Sequence, residues 1–283
     1  MPPLDDVTAR PVAELTPAQA AAAMEHCFQG YLVPIRMTPE AWEQRYRREH
    51  LDPWASHVYE RNGQPAAVLF VCRRGWTSRV GGMAVAPEAR RIGLGRRVME
   101  DTVAQARARG DRTLLLEVIE QNTPAVKLYK SLGFRMTRRL VGYRWEPEAA
   151  HAPAGALREI DPLELSRIVH HEGEPDLPWM LAAETLAAMT APARAFALED
   201  SAYALVANPQ AETLSLSALV VPHAHRGQGW GTRMLRALAD AHPGRPWQAV
   251  AIVPEDLAPR FFARAGWERQ GISQYEMELR LGG

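Results

Sequence analysis

The sequence predicts an α/β protein of two consecutive domains, each built from mixed helices and strands. The motif Arg-x-x-Gly-x-Gly occurs twice, and each copy follows an apolar, strand-like run and precedes a helix-like stretch. A second pair of landmarks lies downstream, a glycine that precedes an aromatic residue. Gly229 follows Gly93 by 136 positions, and Gly266 follows Gly133 by 133. Two landmarks that recur at nearly one offset indicate a duplicated domain.

The first half of the first copy contains clear start and turn signals. Thr16 and Thr38 each stand directly before a proline, which is typical of an N-cap followed by the first helical residue. Asn62-Gly63 is a strong signal for a hairpin turn between two strands. These signals and the apolar runs predict, in order, strand 7–15, helix 17–29, helix 39–49 and strands 56–61, 66–72 and 80–85.

The second half of the first copy alternates helices with strands. Leu94, Val98, Thr102 and Ala106 recur every four positions, which is typical of an amphipathic helix, and Gly110 is suited to end it. The run 114–118 is nearly all apolar, which favours a central strand covered on both faces. We therefore predict helix 94–109, strand 114–118, a helix from 123 to about 132 and short strands to 145.

The second copy follows the same order from about residue 157. The segment 146–155 is rich in proline and alanine and has no helical or strand period, so we place the boundary there. The predicted domains are 1–147 and 156–283.

Composition excludes several classes of protein. Lys and Arg total 33, as do Asp and Glu, so the chain lacks the basic excess of a dedicated nucleic-acid binder. No apolar run reaches the roughly 18 residues of a membrane span, and the N-terminus has no secretory leader pattern. Cys27 and Cys72 belong to no Cys/His cluster, which is typical of buried thiols in a reducing compartment. We expect a cytoplasmic protein that contacts neither membrane nor nucleic acid.

The repeated glycine loop predicts an anion site. Where a strand turns into a helix, several backbone N–H groups lack partners, and glycine lets the backbone approach a ligand closely. Those N–H groups and the helix dipole favour an anion such as pyrophosphate. The alternative is an ordinary tight turn of an α/β protein. Neither loop has the spacing of GxxxxGK[ST], and both lack lysine. Neither fits G-x-G-x-x-G, because the position of the third glycine is Val98 in the first copy and Met234 in the second.

Three motifs of the first copy, in this order and spacing, resemble the GNAT superfamily of N-acetyltransferases. They are Met83-Ala-Val85-x-Pro87, Arg90-x-x-Gly93-x-Gly95 and Asn122-x-x-Ala125-x-x-Leu128-Tyr129-x-x-x-Gly133-Phe134. With the duplication, the resemblance covers essentially the whole chain. It implies two domains, each with a mixed, largely antiparallel central sheet flanked by helices, and acetyl-CoA as co-substrate.

The resemblance also assigns residues to the acetyl-CoA site. The strand before the loop would pair with the pantetheine arm, and the loop amides would hold the pyrophosphate. The matching positions are Met83, Ala84 and Val85 on the strand and Arg90, Arg91, Ile92, Gly93, Leu94 and Gly95 in the loop. Arg91 departs from the pattern, since the family usually has glycine there.

Tyr129 matches the tyrosine that lies beside the cofactor sulfur in the family. Loss of the thiolate from a thioester requires a proton, and a phenol with an ordinary pKa of about 10 stays protonated at neutral pH. We therefore predict Tyr129 as the general acid; the alternative is a packing role beneath the sheet. Asn122 would bond the amide groups of the cofactor, or alternatively only cap a helix.

The acceptor amine must lose a proton, and Glu117 and Glu120 are the nearest acidic candidates. Glu117 stands in an apolar run, where a carboxylate is costly unless it has a partner or a function. We predict it as the base, with a structural hydrogen-bonding role as the alternative. Tyr31 and Arg36 lie between the first two helices, where the family usually forms its acceptor pocket, so with Glu120 they are our candidate acceptor residues.

The second copy has diverged at the reacting positions. Its loop, Arg226-Gly227-x-Gly229-x-Gly231, is closer to the family pattern than the first and is a possible second cofactor loop. However, Phe262 stands where the first copy has Tyr129, and Glu255 stands where it has Asn122. The second copy therefore either binds CoA weakly or only shapes the acceptor pocket.

The sequence as a whole predicts acetyl transfer from acetyl-CoA to the primary amine of a small molecule, by direct attack in a ternary complex. Two rivals stay open: a non-catalytic acyl-CoA sensor, and an enzyme that acetylates proteins or peptides. His170-His171 and the pair His223 and His225 have no third partner at ligand spacing, so we predict no metal.

Overall fold

A computed structural model describes residues 6–147 and 156–282. The predicted N-terminal and linker features at 1–5 and 148–155 lie outside the described residues. The chain forms two compact units, Met1–Thr137 with Tyr275–Gly283, and Arg138–Gln274. The units thus differ from the predicted ranges 1–147 and 156–283: each contains the last strand segment that the linear division gave to the other.

Among its described residues, the first unit has five strands and four helices of its own. The strands are β1 (Val7–Pro11), β2 (His57–Arg61), β3 (Gln64–Arg74), β4 (Thr77–Val85) and β5 (Thr113–Ile119). The helices are α1 (Pro17–Cys27), α2 (Pro39–Arg48), α3 (Leu94–Ala108) and α4 (Thr123–Ser131), with 3₁₀ turns at Val12–Glu14 and Pro87–Ala89.

The second unit repeats that order. Strand β6 (Arg135–Trp145) leads into it, followed by β7 (Leu157–Ile160), β8 (Arg194–Leu198), β9 (Ala202–Val206), β10 (Leu214–Val220), β11 (Trp247–Pro254) and β12 (Glu268–Arg280). The helices are α5 (Pro162–Glu172), α6 (Ala183–Ala187), α7 (Trp230–Ala241) and α8 (Pro259–Arg264), with a 3₁₀ turn at His223–His225.

Sheet order is the same in both units. In the first it is β1-β2-β3-β4-β5 followed by the end of β12, and in the second β7-β8-β9-β10-β11 followed by β6 from Arg138. Neighbours from β1 to β4 and from β7 to β10 are antiparallel, whereas β4–β5 and β10–β11 are parallel. The predicted mixed, largely antiparallel sheet flanked by helices is confirmed.

Helix starts follow the predicted local chemistry. Thr16 accepts from the backbone N–H of Gln19 while the side chain of Gln19 accepts from the N–H of Thr16, which forms a complete capping box. Thr38 caps α2 through the N–H of Ala41. The predicted strand 7–15 stops at Pro11, because the following residues turn into a 3₁₀ helix.

Each unit has its own apolar core. In the first, α3 packs Leu94 and Val98 against Leu116 of β5, and Met277 near the chain end completes the cluster. In the second, α7 packs Met234 and Leu235 against Leu216 and Trp247, and a further cluster lies under α5 and α6. These cores fix the helix that follows each glycine loop.

Candidate active site

The first glycine loop joins strand β4 to helix α3. Gly93 is the N-cap of α3 at φ +88°, a left-handed conformation that suits glycine. A glycine cap has no side chain to accept from the first-turn N–H groups, so these stay available to a ligand. Together with the helix dipole they form a site suited to an anion such as pyrophosphate.

Arg90 shapes this loop through its side chain. Its Nε donates to the carbonyl oxygen of Val85 at 2.9 Å, and its Nη2 donates to the carbonyl oxygen of Gln29 at 2.6 Å. The guanidinium therefore ties the loop to the end of β4 and to the segment after α1. Its hydrogen bonds position the backbone that would meet a phosphate.

Strand β4 separates from β5 about halfway along its length. Parallel register runs from Thr77 opposite Thr113 to Val80 opposite Leu116, and among the described residues it ends there. Gly81 is an extra residue in the ladder with β3, so the strand has a β-bulge at the point where it separates. A Cβ on Gly81 would lie 2.9 Å from Cys72 Sγ, which explains the glycine.

The part of β4 that is not paired with β5 packs closely against the start of α3. A Cβ on Gly95 would lie 3.2 Å from Met83 Cε and 3.4 Å from Val85 Cγ2. Glycine at this position therefore lets the start of α3 approach the strand. The structure brings the predicted cofactor residues to one edge: Met83, Ala84 and Val85 on β4, Arg90, Arg91, Ile92 and Gly93 in the loop, and Leu94 and Gly95 in α3.

Tyr129 lies on α4 in the core cluster against which Met83 and Val85 pack. Its side chain is buried, and its ring lies 5.9 Å from that of Phe134 between centroids. Burial, and then the nearby phenol of Tyr31, raise the pKa of Tyr129 above its ordinary value. The hydroxyl is therefore protonated throughout the neutral range, as a proton donor requires.

Tyr31 and Asn122 complete a polar group around Tyr129. Burial raises the pKa of the Tyr31 phenol, and the neighbouring amide of Asn122 offsets this only in part. Asn122 also accepts from the backbone N–H of Ala125 at 3.4 Å, so it caps α4 as the alternative interpretation expected. Three residues predicted for different roles thus lie near one another, with Asn122 at the start of α4 and Tyr129 in its last turn.

Glu117 belongs to a buried ionic chain. Arg79 donates to both of its carboxylate oxygens at 2.8–2.9 Å and, through Nη1, to Glu49 at 2.7 Å. Arg45 bonds the other oxygen of Glu49 and reaches the carbonyl oxygen of Gly81 at the bulge. Burial alone would raise the pKa of Glu49, but Arg45 and Arg79 outweigh it and hold the pKa below its ordinary value. This geometry favours the structural alternative for Glu117.

The remaining acceptor candidates differ in their exposure to solvent. Glu120 is half-buried and accepts from the hydroxyl of Tyr275 at 2.7 Å, whereas the side chain of Arg36 is exposed. Tyr275 did not emerge from the sequence, because it stands 155 positions after Glu120 and enters the first unit only through the exchange of last strands. Arg79 and Glu49 were missed for a similar reason, since their partners lie on separate elements.

The second unit repeats the loop geometry. Gly227 and Gly229 have φ of +76° and +85°, and Gly229 is the N-cap of α7. Arg226 donates from Nε to the carbonyl oxygen of Val221 at 3.1 Å and from Nη2 to that of Glu172 at 2.5 Å, as Arg90 does in the first unit. A Cβ on Gly231 would lie 2.9 Å from the ring of Phe261.

The reacting positions of the second unit have other partners. The ring of Phe262 stacks on that of Tyr143 at 4.1 Å between centroids. Glu255 accepts from Arg139 at 3.0 Å and from Arg269, and these bonds hold the pKa of Glu255 below its ordinary value, Arg269 more than Arg139. The second unit therefore has the loop without the phenol and amide of the first.

Metal ligation and membrane insertion have no support in the part of the chain that the structure describes. Residues 6–147 and 156–282 contain no group of three His, Cys, Asp or Glu side chains arranged for a metal ion, and no helix among them combines the length and apolarity of a membrane span. His223 bonds Glu172 at 2.8 Å, and Cys27 and Cys72 are buried free thiols.

Comparison with known sequences finds one family and several relatives. Residues 21–134 match the Acetyltransferase (GNAT) family. The ribosomal protein bS18-alanine N-acetyltransferase of Escherichia coli (strain K12) is 36% identical over 101 residues, which is 31% of this chain and 68% of that protein. The catalytic subunit of the N-terminal acetyltransferase B complex of Schizosaccharomyces pombe is 31% identical over 97 residues, covering 34% of this chain and 52% of that protein.

Solved structures match the chain over nearly its whole length. A GCN5-related N-acetyltransferase from Sphaerobacter thermophilus has a TM-score of 0.71 at 18% identity, covering 99% of this chain and 97% of that one. A tandem GNAT protein from the clavulanic acid biosynthesis pathway has a TM-score of 0.67 at 19% identity, covering 98% and 99%. At these identities the likeness establishes the fold, and it confirms the predicted tandem of two such domains.

Proposed function

This chain belongs to the GNAT acetyltransferase family and is an acetyl-CoA-dependent N-acetyltransferase, and on that premise we propose that its first unit is the catalyst, with Tyr129 as the general acid. The observation behind this proposal is the buried phenol of Tyr129, which belongs to the core cluster against which Met83 and Val85 of the open strand pack.

The first unit has the parts that acetyl-CoA requires. The loop N–H groups after Gly93 suit the pyrophosphate, and the open edge of β4 offers backbone groups to the amide-bearing pantetheine arm. Backbone N–H groups near Met83 would polarise the thioester carbonyl, because fixed dipoles in a dry site stabilise the oxyanion of the transition state.

The step itself is a direct acyl transfer. The acceptor nitrogen attacks the thioester carbonyl carbon, the C–N bond forms and the C–S bond breaks. Tyr129 donates its hydroxyl proton towards the departing sulfur and regains a proton from solvent. Its raised pKa has two consequences: the donor is always protonated at neutral pH, and the phenolate is quickly reprotonated after each turnover.

The proton of the amine needs an acceptor near the end of β5. Glu117 and Glu120 are both candidates, and the geometry favours Glu120. Both oxygens of Glu117 accept from Arg79, whereas Glu120 is half-buried and accepts from the neutral hydroxyl of Tyr275. The carboxylate of Glu117 is already committed to the ionic chain with Arg79, which is why we propose Glu120 as the acceptor of the amine proton.

We propose a small primary amine as the acceptor, since the balanced charge of the chain provides no evident docking surface for a large polyanion. A second candidate is the N-terminal α-amine of a protein, because the yeast relative is named as an N-terminal acetyltransferase and the bacterial one for an alanine of a ribosomal protein. Both acceptors present a primary amine to the same thioester, so the chemistry of the step is shared.

A matched panel separates the two acceptors. Free alanine, alanine amide and peptides that begin with alanine would be compared with other small amines, with release of free CoA thiol as the readout and mass spectrometry of the product. Turnover of the small amines at rates above those of the peptides is the expected result. Turnover of peptides alone would replace the first candidate with the second.

A further inference from the structure

Glu120 has a phenol partner that comes from the last strand of the chain. The hydroxyl of Tyr275 donates to Oε1 of Glu120 at 2.7 Å. Glu120 directly follows β5, and β12, which contains Tyr275, is the neighbour of β5 in the sheet. The segment Tyr275–Gly283 belongs to the first unit. The carboxylate that we propose as the base is therefore in contact with a residue from the far end of the sequence.

The alternation of side chains along β12 directs the Tyr275 ring into the first core. Residues two apart on a strand share a face of the sheet. Met277 and Leu279 are buried in the core cluster that contains Tyr129, and Tyr275 packs against the same cluster. Tyr275 thus lies on the core face of the strand, and its hydroxyl reaches the end of β5.

Equivalent glycines locate the counterpart of Tyr275 in the second unit. A Cβ on Gly133 would lie 3.3 Å from Leu279 Cδ1, and a Cβ on Gly266 would lie 3.5 Å from Trp145 Nε1. Leu279 and Trp145 thus occupy matching positions on the exchanged strand segments. Tyr275 stands four residues before Leu279, so its counterpart stands four residues before Trp145.

The counterparts of the polar pair are two valines. Val141 stands at the position of Tyr275, and Val253 stands at that of Glu120, which it follows by 133 positions, the offset of the repeated downstream glycines. Val141 and Val253 are cross-strand partners, and both are buried in the second core. The fold therefore accepts an apolar pair here, whereas a carboxylate at such a place costs free energy unless a partner or a function compensates. The polar pair is a property of the first unit and is not required by the architecture.

We propose that Tyr275 is the positioning residue of the base, and that it holds the carboxylate of Glu120 in the orientation that takes the amine proton. This inference rests on the proposed function of the first unit, with Glu120 as its base. Glu120 stands two residues before Asn122, in the turn that leads into α4 and its Tyr129. As the C–N bond forms, the proton passes from the amine nitrogen to the carboxylate, and the carboxylic acid then releases it to solvent. The last strand of the chain thus completes the catalytic centre of the first unit.

A phenol suits this task because it is neutral. Its hydrogen bond fixes one carboxylate oxygen without the full charge that a guanidinium would place beside the base. A hydrogen bond to the ionised form of a carboxylate favours that form and lowers its pKa. Loss of the Tyr275 hydroxyl should therefore raise the pKa of Glu120, so that the base becomes protonated at a higher pH.

The test measures kcat of the full chain across pH, with saturating acetyl-CoA and the acceptor that reacts fastest in the panel of amines and peptides. Tyr275→Phe removes the hydroxyl and keeps the ring in the core. We expect kcat at neutral pH to fall by roughly 10-fold, and the acidic limb of the profile to move to higher pH. Tyr203→Phe is the matched control, because its hydroxyl donates to the carbonyl oxygen of Asp200 at 3.0 Å in the second unit. It should leave both kcat and the limb unchanged.

Glu120→Gln separates this inference from the proposed base. It should lower kcat by roughly 10²–10⁴-fold. Adding Tyr275→Phe to Glu120→Gln should cause no further loss, because a positioning residue acts through the carboxylate that it orients. A merely structural role of Tyr275 would instead lower kcat in both backgrounds.

The remaining outcomes distinguish the two failures. Wild-type kcat and an unmoved limb in Tyr275→Phe, together with a large loss in Glu120→Gln, overturn the inference and keep the base. Equal losses from Tyr275→Phe with and without Glu120→Gln also overturn it. An undiminished Glu120→Gln protein overturns the proposed base, and the positioning role of Tyr275 with it.

Discussion

The two units share the geometry of the glycine loop and differ in the side chains near it. Arg90 and Arg226 make the same pair of backbone hydrogen bonds, and Gly93 and Gly229 cap their helices at nearly the same φ. A bulge opens the sheet in both. The differences concern single side chains, above all Tyr129 in the first unit and Phe262 in the second.

This comparison separates binding from chemistry. The loop, the bulge and the open edge are made by the backbone, so many side chains are compatible with them. Proton transfer instead depends on one hydroxyl at one position. A duplicated domain can therefore keep its ligand site after it has lost the chemistry, and variants that exchange the differing side chains test this separation.

The largest effect is expected at the proton donor. Tyr129→Phe removes one hydroxyl and keeps the ring, so packing against Phe134 should persist. We expect kcat to fall by roughly 10²–10⁴-fold while acetyl-CoA affinity stays near that of wild type. Steady-state kinetics and a binding titration with CoA provide the two measurements.

Phe262→Tyr is the matched variant in the second unit. It supplies a phenol but leaves Glu255 in the place of Asn122, so it should not restore activity to the Tyr129→Phe protein. Near-normal turnover by Tyr129→Phe alone would mean that another group or water protonates the sulfur. Activity lost only on disruption of the Arg226–Gly231 loop would transfer catalysis to the second unit.

The next effect concerns the buried ionic chain. Arg79→Met leaves the carboxylates of Glu49 and Glu117 without their shared guanidinium, and we expect a loss of about 3–5 kcal/mol in the free energy of unfolding. The matched position in the second unit is Ser215, which accepts from Gln248 at 3.1 Å in a neutral hydrogen bond. Ser215→Ala should cost only about 0.5–1.5 kcal/mol. Denaturant unfolding of both variants measures the difference.

Equal losses of unfolding free energy for Arg79→Met and Ser215→Ala would contradict the structural role of the buried ionic chain. The double variant Arg79→Met/Glu117→Gln is a further check, because it removes one of the stranded charges. It should recover part of the lost stability, since an unpaired buried carboxylate is the main cost.

The smallest effect concerns the backbone of the two loops. Arg91 has φ +66°, in the left-handed region that Gly227 occupies at the equivalent position of the second loop. Arg91→Gly relieves about 1–2 kcal/mol of strain and adds about 0.5–1 kcal/mol of chain entropy to be lost on folding. Thermal unfolding should therefore show a gain of about 0–1.5 kcal/mol, and Gly227→Arg should show a small loss.

CoA affinity distinguishes the amide of Arg91 from its side chain. Because Arg91→Gly keeps the backbone N–H, the affinity should change by no more than a few-fold. A much larger loss would show that the guanidinium binds phosphate itself, and would make the first loop chemically different from the second.

Local signals predicted most elements because they depend on neighbours in sequence. The caps at Thr16 and Thr38 and the hairpin turn at Asn62-Gly63 all appear where the sequence placed them. The predicted strand 80–85 begins three residues earlier, at Thr77, because pairing with β3 extends it. Such extensions depend on the partner strand, which a single segment cannot specify.

The site residues that lie close together in sequence were predictable, whereas those that come together only in the fold were not. The loop residues and Tyr129 stand in motifs of fixed spacing, and the role of Arg90 as a loop tether follows from the same motif once the fold is known. Nothing near Glu117 in sequence indicated that Arg79 would bind both of its oxygens. Tyr275, which bonds Glu120, belongs to the far end of the chain.

The sequence by itself determined the duplication, the glycine loops, the helix caps and the loss of the phenol from the second copy. Each of these is a property of short segments, whose backbone preferences and chemistry are set by their own residues. Only the tertiary structure decided that the units exchange their last strand segments, because the alternation of side chains along a strand is compatible with more than one partner. It also decided which acidic residues form ion pairs and that a cavity opens in the second unit. Both depend on residues that are distant in sequence and close in space.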